Sequence, residues 1–175
     1  MLANAATILL VKIKQPPLVT LLLLLLSGCY VRLPVSEAVA EPLAPAKVKA
    51  LAELGERPST AGEWFEVRVL LPRESVRKIA RWELYTHMLV ENCRTGDVVG
   101  IASSTQIEGT DGNFRAIREQ LRADRRRAVF IMSESMFFPA GQPLDGLCLQ
   151  LDGGSYTLQK ISNRPVPLKV RRVNT

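Results

Sequence analysis

The chain has 175 residues, with 23 Lys and Arg against 17 Asp and Glu, one histidine, and a formal net charge of +6. That mild positive balance suits contact with anionic lipid or polymer without naming one. With a single histidine, any Ser–His–acid triad would have to be built on His87.

The first segment, MLANAATILLVKIK, carries Lys12 and Lys14 and no acid. After Pro16-Pro17, an apolar run extends from Leu18 to Leu26, about half of the ~20 residues a membrane-spanning helix needs. A basic start, a short apolar run and small residues at its end have the layout of a secretory signal peptide. Leu26-Ser27-Gly28-Cys29 resembles the lipobox of bacterial lipoproteins, which runs Leu, a small residue, Gly or Ala, then Cys. All four positions match, and the resemblance covers residues 1–29 alone. It implies that residues 1–28 are removed and that Cys29 receives a diacylglyceryl thioether and an acylated amino group. Several acyl chains on one residue hold a protein to a membrane far more firmly than one. By the same resemblance, Tyr30 in place of an Asp after the cysteine points to the periplasmic face of the outer membrane of a Gram-negative bacterium.

Removal of residues 1–28 takes away Lys12 and Lys14 and no acid, so the mature charge falls from +6 to +4. If lipid occupies Cys29, Cys93 and Cys148 remain as an even pair in an oxidising compartment, where such pairs form disulfides. A bridge across their 55-residue separation contributes roughly 4 kcal/mol in the loop-entropy treatment. The alternative is two free buried thiols. Two distant cysteines and one histidine do not make a four-ligand metal set, and no cofactor is expected.

Residues 29–62 are rich in Ala and interrupted by Pro34, Pro42, Pro45 and Pro58. They read as a tether with reach of up to about 3.1 Å per residue, with Lys47–Leu54 compatible with a short helix. The folded domain is expected over 63–175, at a size that allows one modest core.

Phe65, Val67, Val69 and Leu71 alternate with polar or outward positions, a half-buried strand ended by Pro72. Residues 74–92 admit two readings. Val76, Ile79, Ala80, Leu84 and Met88 fit a helix, whereas Trp82, Leu84, Met88 and Val90 share one strand parity. The strand reading is preferred, because Arg94-Thr95-Gly96 would turn WELYTHMLVENC into DVVGIASS as a hairpin. Next, Asn113 caps a helix over about 113–126 whose apolar side is Phe114, Ile117 and Leu121. Beside it runs a stripe of Arg115, Arg118, Arg122, Arg125 and Arg126. Arginine suits bidentate recognition of carboxylate and phosphate, so the stripe is the candidate contact surface; the plainer reading is a solvated face whose stems cover the core.

Residues 127–133 read as a buried strand. Met136, Phe137 and Phe138 then belong either to a loop over 136–146 that forms an apolar contact patch or to the end of that strand. Leu147, Leu149 and Leu151 alternate and turn at Asp152-Gly153-Gly154 into Tyr156, Leu158 and Lys160. Val166–Val173 reads as an edge strand whose pairing Pro165 and Pro167 restrict. The expected fold is mainly β (α+β), an antiparallel sandwich or open barrel with one packed amphipathic helix; a helical 74–92 would make it an α/β layer.

Signals for catalysis are weak. Ser103, Ser104, Ser133 and Ser135 lack a Gly-x-Ser-x-Gly context. Glu63, Glu66, Glu83 and Glu91 read as a solvated face rather than as paired acids. Residues 109–112 and 152–154 lack phosphate-loop or calcium-loop spacing. The leading expectation is therefore a non-enzymatic, lipid-anchored periplasmic interaction module, an accessory or assembly factor of an outer-membrane or secretion complex with a protein partner in the envelope. Its rivals are an immunity or exclusion lipoprotein that binds a toxin or phage component, and an envelope hydrolase. Anionic lipid or glycan is the alternative partner. Nucleic acid is not expected outside the cytoplasm.

Overall fold

A computed structural model describes residues 30–56, 58–102, 106–157 and 159–171. The expected leader, the lipobox-like Leu26–Cys29 and with it Cys29 lie outside these residues. The described residues are mainly β, a mixed sheet curled into a half-barrel, with three helices among them. The strands are β1 (Tyr30–Val31), β2 (Glu37–Pro42), β3 (Gly62–Pro72), β4 (Tyr85–Asn92), β5 (Val98–Ala102), β6 (Gln106–Ile107), β7 (Val129–Pro139), β8 (Leu147–Gly154), β9 (Lys160–Ile161) and β10 (Val166–Val170). The helices are α1 (Pro45–Glu53), α2 (Arg73–Trp82) and α3 (Phe114–Ala123).

The spine is the antiparallel pair β3 and β7, in register from Gly62 opposite Pro139 to Pro72 opposite Val129. Alternation turns Phe65, Val67, Val69 and Leu71 inward, where they meet Phe130, Met132, Met136 and Phe138. The run 127–133 was thus only the start of β7. Met136 and Phe138 are buried in that strand rather than exposed in a loop, and the contact-patch alternative falls.

One half of the sheet runs β2, β3, β7, β6; the other contains β5, β4, β8, β9 and β1. β10 joins them, antiparallel to β8 at Val166 and Pro167 and parallel to β2 at Leu168–Val170. The expected edge strand is therefore an interior one. Pro167 is tolerated because it stands where β10 leaves one partner and takes up the next, so its missing N–H falls at a break in the ladder.

The expected tether is also corrected. β2 pairs with β3 over six residues, from Glu37 opposite Leu70 to Pro42 opposite Phe65. Leu33, Ala38, Ala40 and Leu43 are buried. The domain therefore starts by Tyr30 and not near residue 63. Between β2 and β3, α1 carries no buried residue and lies on the outside.

Both readings of 74–92 hold for part of the segment. α2 buries Ser75, Val76, Ile79 and Ala80 and ends at Glu83, which adopts a left-handed conformation (φ 48°). The chain then turns into β4, whose Thr86, Met88 and Val90 face the core. Trp82 does not join them and is 38% exposed. The β4–β5 hairpin forms as expected around 93–97. At the other end, Asp152–Gly154 is not a turn but the end of β8, and the chain reverses over 155–159. Gly153 is required there by close approach: a Cβ would stand 2.0 Å from the carbonyl oxygen of Tyr85.

Cys93 and Cys148 form a disulfide, Cα to Cα 5.0 Å. It closes the end of the β4–β8 ladder, where Asn92 faces Leu147 and the Cys93 N–H donates to the Gly146 carbonyl at 2.9 Å.

Candidate functional site

Two helices packed against each other build a strongly cationic feature. On α2, Arg73, Arg77 and Arg81 recur every fourth residue, beside the buried stripe of Val76, Ile79 and Ala80. On α3, Asn113 supplies the N-cap by accepting from the Arg115 N–H at 2.8 Å. Ile117 seats this helix in the core, with Phe114 and Leu121 packed around it. Arg118, Arg122 and Arg125 then meet the α2 arginines across a groove of about 700 Å³, floored by Ala80 and Leu121. Six guanidinium groups line one depression.

The six do different work. Arg73 donates to the carbonyls of Asp124 (2.6 Å), Arg127 (3.2 Å) and Leu121, and so closes the C-terminal end of α3. Arg118 does the same for α2, donating to the Ala80 carbonyl at 3.0 Å and to Glu83 Oε1 at 3.2 Å. Positive charge at the negative end of each helix dipole favours this reciprocal arrangement. Arg81 stacks on the neighbouring Trp82 ring at 5.0 Å, with its charge still exposed. Arg77, Arg81, Arg122 and Arg125 make no ion pair among the described residues.

Much of the other described surface charge is paired. Lys47 and Arg68 hold Glu66, and Arg68 and Arg171 share Glu41. Lys169 holds Glu37, Lys78 holds Glu74, and Arg127 holds Glu108. The hydrogen bond from Lys47 and the charge of Arg68 keep the Glu66 carboxyl below its ordinary range. Against this background the groove is a concentration of uncompensated positive charge.

The expected stripe is thereby split. Arg118, Arg122 and Arg125 enter the groove. Arg115 pairs with Glu119 at 3.0 Å on the same helix. Arg126 is exposed and lies outside the groove. The helix ends at Ala123, so Arg125 and Arg126 sit in the following turn and not on the expected helix through 126. Sequence reading missed Arg73, Arg77 and Arg81. Their spacing of four was visible, but its meaning depended on assigning a helix to 73–82.

The other sequence candidates stand apart. His87 is half-buried on β4 in register with Asp152. Ser133 and Ser135 sit opposite Arg68 and Glu66 on β7, and Ser103 and Ser104 lie outside the described residues. Glu83 ends α2, and Glu63 is exposed. Among the described residues no three His, Cys, Asp or Glu side chains cluster as a metal site. No described helix is long and apolar enough to cross a membrane.

No protein-family model matches this chain, and neither a curated protein nor a solved structure matches it.

Proposed function

We propose that this chain is a lipid-anchored interaction module of the bacterial envelope, and that the α2–α3 groove docks an acidic segment of a partner protein. The module would serve as an accessory or assembly factor of an outer-membrane or secretion complex. The observation that carries this reading is the set of four guanidinium groups, Arg77, Arg81, Arg122 and Arg125, gathered in one groove without an ion pair among the described residues. An acidic protein segment would supply planar carboxylates, which guanidinium forks grip in pairs. Apolar Ala80 and Leu121 on the floor would accept the aliphatic parts of the same segment. The lipobox resemblance at Leu26–Cys29 supports the anchor, and a disulfide is at home in an exported domain.

Two separations test the reading. Cys29→Ser should move the protein out of the membrane fraction; retention would refute the lipid anchor. Arg77→Glu combined with Arg122→Glu should leave the protein anchored and folded but unable to retain its partner. Undiminished retention would refute the groove.

A further inference from the structure

A second cationic cavity lies beside the first described residues, and it shares no residue with the arginine groove. It opens between the segment after β1 and the β9–β10 connection, has a volume of about 550 Å³, and is lined by Arg32, Ser162, Asn163 and Arg164 around an apolar floor that includes Leu33. Arg32 and Arg164 are exposed and make no ion pair among the described residues. Asn163 accepts from the Leu33 backbone N–H at 2.8 Å. That donor fixes which end of the amide is the oxygen. The Nδ2 end is then left as a buried donor with no partner among the described residues. Two exposed guanidinium groups line the cavity, with the unused amide donor buried at its wall, and the set suits a tetrahedral oxyanion.

The place of this cavity in the chain names the source of the anion. β1 begins at Tyr30, the residue after Cys29, and pairs at once with β9, Tyr30 opposite Lys160. Consecutive Cα atoms are about 3.8 Å apart, so no slack separates a lipid on Cys29 from the folded sheet. Tyr30 is 68% exposed, and a tyrosine ring is favoured at a membrane–water interface. Lys160 is exposed beside it. Basic residues at such a position are attracted to anionic lipid. We infer that this end of the domain rests on the bilayer and that Arg32, Asn163 and Arg164 bind the phosphate of an anionic phospholipid. The inference rests on the reading of Cys29 as the lipid attachment site, which places the cavity against the membrane.

The test uses the full chain, isotope-labelled, purified from membranes in a neutral detergent. It is titrated with soluble dihexanoyl-phosphatidylglycerol and, separately, with inorganic phosphate, while the Asn163 side-chain amide resonance is followed. The phospholipid should produce a saturable shift. Asn163→Asp keeps the acceptor for Leu33 but sets a carboxylate in the cavity, and should abolish binding. Arg32→Gln and Arg164→Gln should each weaken it about tenfold, the loss of one charge-assisted hydrogen bond, with the remaining resonances reporting an intact fold. No saturable shift, or undiminished binding in the arginine variants, overturns the site. Inorganic phosphate that binds as tightly as the phospholipid overturns its assignment to the membrane. The mass of the N-terminal peptide from the same preparation separates the two claims. A lipid-free Cys29 with the shift intact would refute the anchor and leave the site standing; a lipidated Cys29 without the shift would do the reverse.

Discussion

Arg73, the first residue of α2, donates from Nη1 to the main-chain carbonyl of Asp124, the residue that caps α3, at 2.6 Å. With its bonds to Leu121 and Arg127 this makes Arg73 a structural arginine within the groove. Arg73→Met keeps the stem and removes the charge-assisted bonds, and should cost about 2–3 kcal/mol. Arg122→Ala, in the same groove, should stay within about 0.5 kcal/mol of wild type. Urea unfolding reads both. Equal effects would mean that Arg73 does not hold the helix pair together.

Gathering guanidinium groups in one groove has a cost of its own. Arg77, Arg81, Arg122 and Arg125 repel one another across the groove, so Arg122→Gln should raise the melting temperature slightly at low ionic strength. Screening shortens to about 3 Å at 1 M salt, and the gain should vanish there. A gain independent of salt would show that repulsion is not its source.

The Cys93–Cys148 bridge closes a 55-residue separation. Replacing both cysteines with serine should lower stability by up to about 4 kcal/mol. Because β4 and β8 are already paired beside it, the fold should persist, with the loss seen in the unfolding midpoint. An unchanged midpoint under reducing conditions would show that the bridge contributes nothing.

Glu134 stands in register with Val67 on β7, in the alternation of Met132 and Met136. Burial raises its pKa above the ordinary 4.5, against a smaller lowering from the Ser135 N–H. The protonated form is thus the better-folded one. The stability it contributes is present below the ordinary glutamate pKa and is lost as pH rises through the raised value. Glu134→Gln keeps an acceptor for Ser135 and should melt higher than wild type at pH 7 but not at pH 4. A difference that does not change with pH would rule out titration of Glu134 as the cause.

Much of this was legible in the chain because periodicity survives where one face is buried. Phe65 to Leu71 gave β3, Phe114, Ile117 and Leu121 gave α3, and Thr95-Gly96 gave the β4–β5 turn. The failures have local causes. Ala38 and Ala40 are small core residues between Glu37, Val39 and Glu41, and next to four prolines they read as linker; only pairing with β3 reveals a strand. Glu134 interrupts the apolar alternation of β7, so that strand was cut short. Gly153 resembles a turn residue, whereas its role is to let β8 pass the Tyr85 carbonyl. Half of the arginine groove was visible as the α3 stripe. Its other half needed the end of α2, where Glu83 takes a left-handed conformation that glutamate rarely marks in sequence.

The central claim is that the α2–α3 groove holds an acidic partner in the envelope. The most direct test places a photo-cross-linking residue at Arg77, at Arg122 and, as a control on a distant loop, at Gln142 in living cells, followed by identification of the adducts. The account predicts one shared envelope protein captured through an acidic segment from Arg77 and Arg122, absent from Gln142, and lost when Arg81→Glu and Arg125→Glu are added. Adducts that are the same from all three positions, or that survive those charge reversals, would contradict it.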